Sequence, residues 1–594
     1  MSVPHDTPRQ LTIRAAVTGA LLGAILVPCN VYSGLKIGWS FNMSIAAALL
    51  SCGFWGVARR GLGERRIATW GLLENNINQT CASSAASIIS AGLVAPIPAL
   101  AILTGQTLTW PVLSVWLFTV SCIGVLVGLA LRRQMLIVQS LPFPSGIATA
   151  ETVREIYAEG REATNRVRYL LGAGFLSGLT KLFADFIYQL PQIGPVIGLG
   201  TLRLSTLTTR SLGFVLDPSF LMIGFGAIVG LRVGLSLVVG AFVAWGILAP
   251  WLFASGRVPL PVEDQTVYGN AVEFLLWPGV AMMVTSALVS FSFSLPGIFR
   301  SLLIPKSDSE ELVDVEAGPS VPTKLLVVGF LLATIATTVA QVTIFGIEPH
   351  MGFLAVLLTF ILAIVAARVS GETGIPPIGA LGKVTQLTFG FINPTNVTEN
   401  LMTANVTGGA AGQCSDLLHD LKAGLLLGAS IRAQAAAQFL GVLVGSVAGS
   451  AAYLVLIPDP AAMLLTKEWP APAVATWKAV AELFRDGIDA APSGALLASI
   501  VGAIVGIGFS ILQKLLPDKY AHWCPSAVSL GLAFVIPAFN SISLCLGAIA
   551  AAIATRVAPT WSRRFVLPIA AGLVAGESLA GVASALATLL FSSS

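Results

Sequence analysis

The sequence predicts an all-α polytopic membrane protein with about sixteen transmembrane helices, arranged as two internally repeated halves with re-entrant or broken helices. Three observations carry that prediction. Of 594 residues, 55% are hydrophobic and only 10% charged, whereas a soluble domain is about one quarter charged. Apolar runs of roughly 20 residues, the length a helix needs to cross a bilayer, recur from Leu11 to Leu590. Short patterns also recur about 327 residues apart, as a duplication would leave them. Lipid offers no hydrogen bonds to a bare backbone, so long continuous apolar runs select helices over a barrel.

In order, spans are expected at 11–33, 40–58, 68–92, 110–131, 168–190, 216–231, 233–254 and 271–295, then at 324–346, 350–369, 399–418, 432–457, 493–515, 525–537, 538–556 and 566–590. The polar start, with Pro4 and Pro8, precedes an apolar run that lacks a small-residue cleavage site, so the first span reads as retained. Lys306, Asp308, Glu310, Glu311, Asp314 and Glu316 cannot enter a bilayer. They divide the chain into a first repeat at 1–299, a charged cytoplasmic linker at 300–323 and a second repeat at 324–594.

The repeat rests on three matches: Asn78-Gln-Thr80 with Asn405-Val-Thr407, Pro142-Phe-Pro144 with Pro470-Ala-Pro472, and Gly174 and Gly178 with Gly502 and Gly506. Eight spans per half is an even number, which would run both repeats in the same direction and leave both termini cytoplasmic. Arginines at 59, 60, 65, 66, 132, 133, 154, 161, 166 and 168 then share the cytoplasmic face, as the positive-inside rule asks. Arg203 and Arg210, and in the second half Arg556, Arg563 and Arg564, break the rule by facing outward.

Composition and motifs exclude several classes. The net charge of +4 is dispersed, with no basic run for nucleic acid. Cys29, Cys52, Cys81, Cys122, Cys414, Cys524 and Cys545 lack CxxC spacing, so neither a disulfide framework, a metal site nor a cofactor is expected. Gly382-Lys383-Val384 has valine where a P-loop requires Ser or Thr, and no HExxH or GxSxG motif is present, so the chain does not read as an enzyme. Gly-x-x-x-Gly pairs at 174/178 and 441/445/449 read as helix-packing seams.

Ionisable and amide side chains inside apolar spans are costly, and their default reading is a substrate or ion pathway. Asn30 to Trp39, with Tyr32, Lys36 and two glycines, reads as a broken helix or re-entrant turn, or alternatively as a loop whose Lys36 snorkels to the interface. Glu74, Asn75 and Asn78 share a helix face, which suits either a pathway or a hydrogen-bonded seam between helices. Gly371 to Lys383, with paired prolines, suggests a non-helical hairpin, and Gln413, Asp416 and Asp420 form one helical stripe with His419 beside it. Asp420 and Lys422 can equally mark the wet end of that helix.

These regions, in the same order, resemble the motifs of the oligopeptide transporter (OPT) family, and most of all its bacterial members, which are related to the yellow-stripe-like metal-chelate transporters. The matching segments are Asn30 to Gly38, Glu74 to Asn78, Leu141 to Gly146, Gly379 to Gln386, Asn405 to Ala411 and Asp420 to Gly424. The resemblance implies a multi-pass protein of the inner (plasma) membrane that takes up small peptides, or metal chelates with amino-acid-like ligands, together with protons. Expected partners are therefore the substrate, protons and the bilayer, with a homodimer open. Substrate-binding residues would be Asn30, Tyr32, Lys36, Glu74, Asn75, Asn78, Glu372, Lys383, Asn405 and Gln413. Proton coupling would fall on Glu74 and Asp416, with Glu372 and Glu577 in reserve. A channel and a membrane-embedded enzyme are the rival readings; the internal repeat with polar breaks favours a carrier over the first.

Overall fold

The computed structural model describes residues 10–38, 43–63, 65–158, 160–194, 196–198, 207–259, 267–303, 321–373, 376, 378–487, 492–521 and 523–592. Its first half comprises α1 (Ile13–Ile37), α2 (Ser44–Leu62), α3 (Leu72–Ala86), α4 (Pro96–Thr104), α5 (Trp110–Arg132), α6 (Pro144–Ala158), α7 (Gly160–Phe186), α8 (Phe220–Val229), α9 (Leu231–Ala254) and α10 (Val267–Leu303). There follow α11 (Thr323–Phe345), α12 (Pro349–Thr373), α13 (Ile378–Ile392), α14 (Val397–Leu427), α15 (Ile431–Leu456), α16 (Pro472–Asp486), α17 (Ala495–Leu515), α18 (Ala527–Val535), α19 (Ala538–Val557) and α20 (Pro559–Ser592). Eleven helices among the described residues are long and apolar enough to cross a membrane, and α8 and α13 are shorter apolar helices. Most of the expected linker, 304–320, lies outside the described residues.

Each of the sixteen expected spans falls on a helix, but neither expected break takes the form predicted. Asn30 to Ile37 is not a broken turn; it completes an unbroken α1, which is closed by Gly38 at φ +81°. Gly34 is small for packing rather than for bending, since a Cβ there would lie 2.9 Å from Val94 Cγ1. Trp39 lies outside the described residues. At the second expected site the chain does break, but not as a non-helical hairpin over Gly371 to Lys383: Gly371–Thr373 end α12 and Ile378–Lys383 begin α13, with non-helical Pro376 between them, while Gly374, Ile375 and Pro377 lie outside the described residues.

Close contacts give the helix directions. Gly19 meets Asn78 and Gly23 meets Ala82, so α1 and α3 run parallel; Gly441, Gly445 and Gly449 meet Cys81, Ala85 and Ile88, so α15 runs with them. Gly124 and Gly128 meet Ala410 and Leu417, while Thr359 and Ser370 bond Thr407 and His419, so α5, α12 and α14 form a second parallel set. The sets oppose each other. Ser84 meets Gln413, and further along the chain Gly92 meets Asn405, so α3 and α14 are antiparallel.

Because α3 and α14 carry the matched Asn78 and Asn405, the two repeats are inverted rather than parallel, related by a pseudo-twofold axis in the membrane plane. Other packing obeys the same relation: α7 lies on α20 through Gly174 and Gly178, as α17 lies on α10 through Gly502 and Gly506. The sequence reading went astray at α13, whose 15 residues and Lys383 fall short of a full apolar span. Including it adds one pass to the second half, so that α12–α20 correspond in order to α1–α3 and α5–α10, with no separate counterpart of the short α4, and α11 stands between the two sets.

The extra pass also corrects the termini. Cys29 bonds Ala575 O and Tyr32 meets Gly581, so α20 runs parallel to α1 and ends on the face opposite the start of α1. Arg14 bonds Ala68 O and Thr69 O, which places the loop after α2 at the start of α1. Arg556, Arg563 and Arg564 border the start of α20 and therefore join that same face. They no longer break the positive-inside rule, whereas Arg210, in the loop after α7, stays on the opposite face.

Two repeat-related straps tie the halves together. Phe143 (φ +46°) and Ala471 (φ +42°), each flanked by prolines, adopt the left-handed region. The Phe143 N–H donates to Gly371 O at 2.8 Å and the Ala471 N–H to Leu35 O at 3.0 Å. Each strap thus holds the last turns of the opposite repeat's leading helix.

Candidate functional site

The two inverted repeats meet where α3 crosses α14. Ser87 Oγ donates to Gln413 Oε1 at 3.2 Å, and Gln413 Nε2 donates to Ser84 Oγ at 3.3 Å. α14 is the central helix of the molecule: from Glu399 to Leu421 every residue is buried except Asp416, which is partly open. Asp420, one turn on, is 2% exposed; Ser44 Oγ, at the start of α2, donates to its Oδ1 at 3.1 Å, and its Oδ2 has no partner. Neither carboxylate has an ion-pair partner among the described residues.

Around this crossing some amide atoms are taken up in packing and others have no partner. Asn75 accepts from Ser51 at 2.8 Å and donates to Ala48 O at 3.2 Å, and Asn78 donates to Ala47 O at 3.4 Å, so both fasten α3 to α2. Asn78 Oδ1 has no partner, and neither does either amide atom of buried Asn405, which lies against Gly92. Glu74 is placed elsewhere, at the third position of α3, where it accepts from Thr12 Oγ1 (2.7 Å), Gly71 N (3.1 Å) and Arg14, which also forms an ion pair with it. Glu399 likewise stands third in α14, held by Asn393 and Asn396 at 3.2 Å. A first-turn glutamate is a capping residue.

A second polar cluster lies on α13. Lys383 is 4% exposed; its Nζ donates to Gln386 Oε1 at 2.9 Å and stands 4.3 Å from the Trp477 ring centroid. Gln386 Nε2 donates to Asn400 Oδ1 at 3.0 Å and to Trp477 O at 3.2 Å. The remaining expected residues are dispersed. Lys36 donates to Glu468 O over the Trp469 ring, and Tyr32 meets that ring edge-on at 5.2 Å. Asn30 donates to Ala86 O at 3.0 Å. Glu372 is exposed at the end of α12 and pairs with Arg368 at 3.1 Å. Glu577 caps α8, accepting from Ser219 Oγ and Leu221 N, both at 2.8 Å.

Residue patterns alone missed Asn400 and Trp477 as neighbours of the Lys383–Gln386 pair, because their proximity depends on α13 and α16 being seated on α14, whereas Gln386 follows Lys383 by three residues on one helix face. Asp420 was within reach: it stands four residues after Asp416 on the same helix face. Among the described residues no group of three His, Cys, Asp or Glu side chains could hold a metal.

Inverted repeats of membrane-spanning helices meeting at a buried polar crossing define a multi-pass membrane transporter. The chain belongs to the OPT family, since the family model described as OPT oligopeptide transporter protein matches residues 10–588. It is 25% identical to a putative oligopeptide transporter of Saccharomyces cerevisiae, over 92% of this chain and 91% of that protein. A metal-nicotianamine transporter of Arabidopsis thaliana, YSL2, is 24% identical over 97% of this chain and 93% of its own length. A putative oligopeptide transporter of Haemophilus influenzae is 25% identical over 66% and 64%. The family and these relatives make the chain a transporter and not an enzyme.

Proposed function

We propose that this protein is a secondary active transporter of the inner (plasma) membrane that carries oligopeptides or small peptide-like substrates inward together with protons. The observation that carries the reading is Asp416, the single partly open residue on the sealed stretch of α14, beside the crossing of the two repeats and without a basic partner among the described residues. An intramembrane carboxylate in that position is suited to load a proton from one side and release it to the other as the repeats rock. Asp420 joins Asp416 in this role. Glu74 is assigned to capping and to its ion pair with Arg14, Glu372 to its pair with Arg368, and Glu577 stays in reserve because it anchors α8.

Carriage of metal chelates is the second reading, supported by the similarity to a metal-nicotianamine transporter. Proteoliposomes test both. Labelled trialanine, or a labelled chelate, should accumulate above its external concentration only when the outside is more acidic, and unlabelled substrate inside should drive counterflow. Accumulation that ignores the pH gradient would overturn the proton coupling, and equilibration without counterflow would favour a channel.

A further inference from the structure

Among the described residues Lys383 is a buried basic group with no acidic partner. Its side chain is 4% exposed, yet no Asp or Glu forms an ion pair with it among the described residues. An ammonium has three donors. One goes to Gln386 Oε1 and the Trp477 ring, 4.3 Å away, faces the charge, which leaves donors unmatched in a dry site. The surroundings are built with care for position: Gln386 is fixed by Asn400 and by Trp477 O, and Asn400 Nδ2 returns a bond to Gln386 O at 2.7 Å. A Cβ on Gly382 would fall 2.4 Å from the Trp477 ring, so glycine there is what lets the indole reach the lysine.

The geometry points to Lys383, seated on Trp477, as the subsite that receives a carboxylate of the transported molecule. A carboxylate satisfies the remaining ammonium donors and neutralises the buried charge, and an aromatic face beside it suits a desolvated ion pair. This rests on the transport reading above and sharpens it. The recognised group is shared by the C-terminus of a peptide and by an aminocarboxylate chelate, whose metal-bound carboxylates keep outer oxygens that accept hydrogen bonds, while molecules lacking a carboxylate are disfavoured. The subsite lies on α13, away from the Asp416 and Asp420 pair, so that anion recognition and proton handling fall to different elements.

Binding to the purified full-length protein, measured by thermal shift and titration, decides the point independently of any pH gradient. Trialanine should bind about tenfold more tightly than trialanine amide, the scale of one lost charged hydrogen-bonding partner. Lys383→Gln should bring trialanine down to the affinity of the amide and leave the amide unchanged. If the chelate is the true ligand, nickel(II) nitrilotriacetate shows the same Lys383-dependent loss and the peptides do not bind. Equal binding of acid and amide by the unmodified protein, an equal loss for both in Lys383→Gln, or no binding of either probe class contradicts the assignment. The comparison in the unmodified protein stands even if the variant fails to fold. Should discrimination hold while uptake ignores the pH gradient, the subsite survives and the proton coupling fails.

Discussion

Glu74 and Asp416 are both carboxylates in apolar surroundings, but their neighbours give them different work. Glu74 accepts from Thr12, Gly71 and Arg14, so its charge is matched and its removal should loosen the junction of α1 and α3. Glu74→Gln is therefore expected to lower the apparent melting temperature while leaving pH-driven uptake per folded molecule near that of the parent. Loss of gradient-driven accumulation with intact exchange and unchanged melting would return Glu74 to the coupling mechanism. The polar patch at 74–79 was legible in the sequence, and so was its ambiguity. Helix-face spacing puts Glu74 and Asn78 together but cannot show that Arg14, sixty residues earlier, neutralises the first.

Among the elements, the two proline-flanked straps and the glycine seams determine how closely the repeats lock. Ala471 occupies a left-handed conformation that costs a non-glycine residue about 1 kcal/mol. Ala471→Gly should relieve that strain and keep the hydrogen bond to Leu35 O, so its melting temperature should not fall below the parent's. Ala471→Pro removes the donor and should lower it. At the seam of α15 and α3, a Cβ on Gly445 would lie 2.5 Å from Ala85 O, so Gly445→Leu should force the helices apart and reduce the yield of folded protein. A melting temperature equal to the parent's in Gly445→Leu would show that the seam is not closely packed. These seams were readable as Gly-x-x-x-Gly, whereas the straps were visible only as a repeated Pro-x-Pro whose hydrogen bonds cross between halves.

For the whole molecule, the decisive element is the one apolar periodicity passed over. α13 is 15 residues long and interrupted by Lys383, and leaving it out turns an inverted pair of repeats into a parallel one. The price of that omission was visible in the sequence as Arg556, Arg563 and Arg564 on the wrong face. With α13 counted, those arginines return to the face of Arg59 and Arg60, and the two ends of the described chain lie on opposite faces. In a cysteine-free background, a single cysteine within 59–63 and another at the C-terminal end of α20 should label from opposite sides of sealed vesicles. Labelling from the same side would restore parallel repeats.

In the proposed mechanism the inverted repeats would supply alternating access, and Asp416 at their crossing would supply the group that carries the proton. The most direct test compares the parent protein with Asp416→Asn, which is fixed in a neutral state, in proteoliposomes at equal folded density. For a labelled substrate shown to bind, the parent should concentrate it when the outside is acidic. The variant should lose that accumulation and retain exchange of labelled for unlabelled substrate. Undiminished pH-driven accumulation by Asp416→Asn would contradict the account.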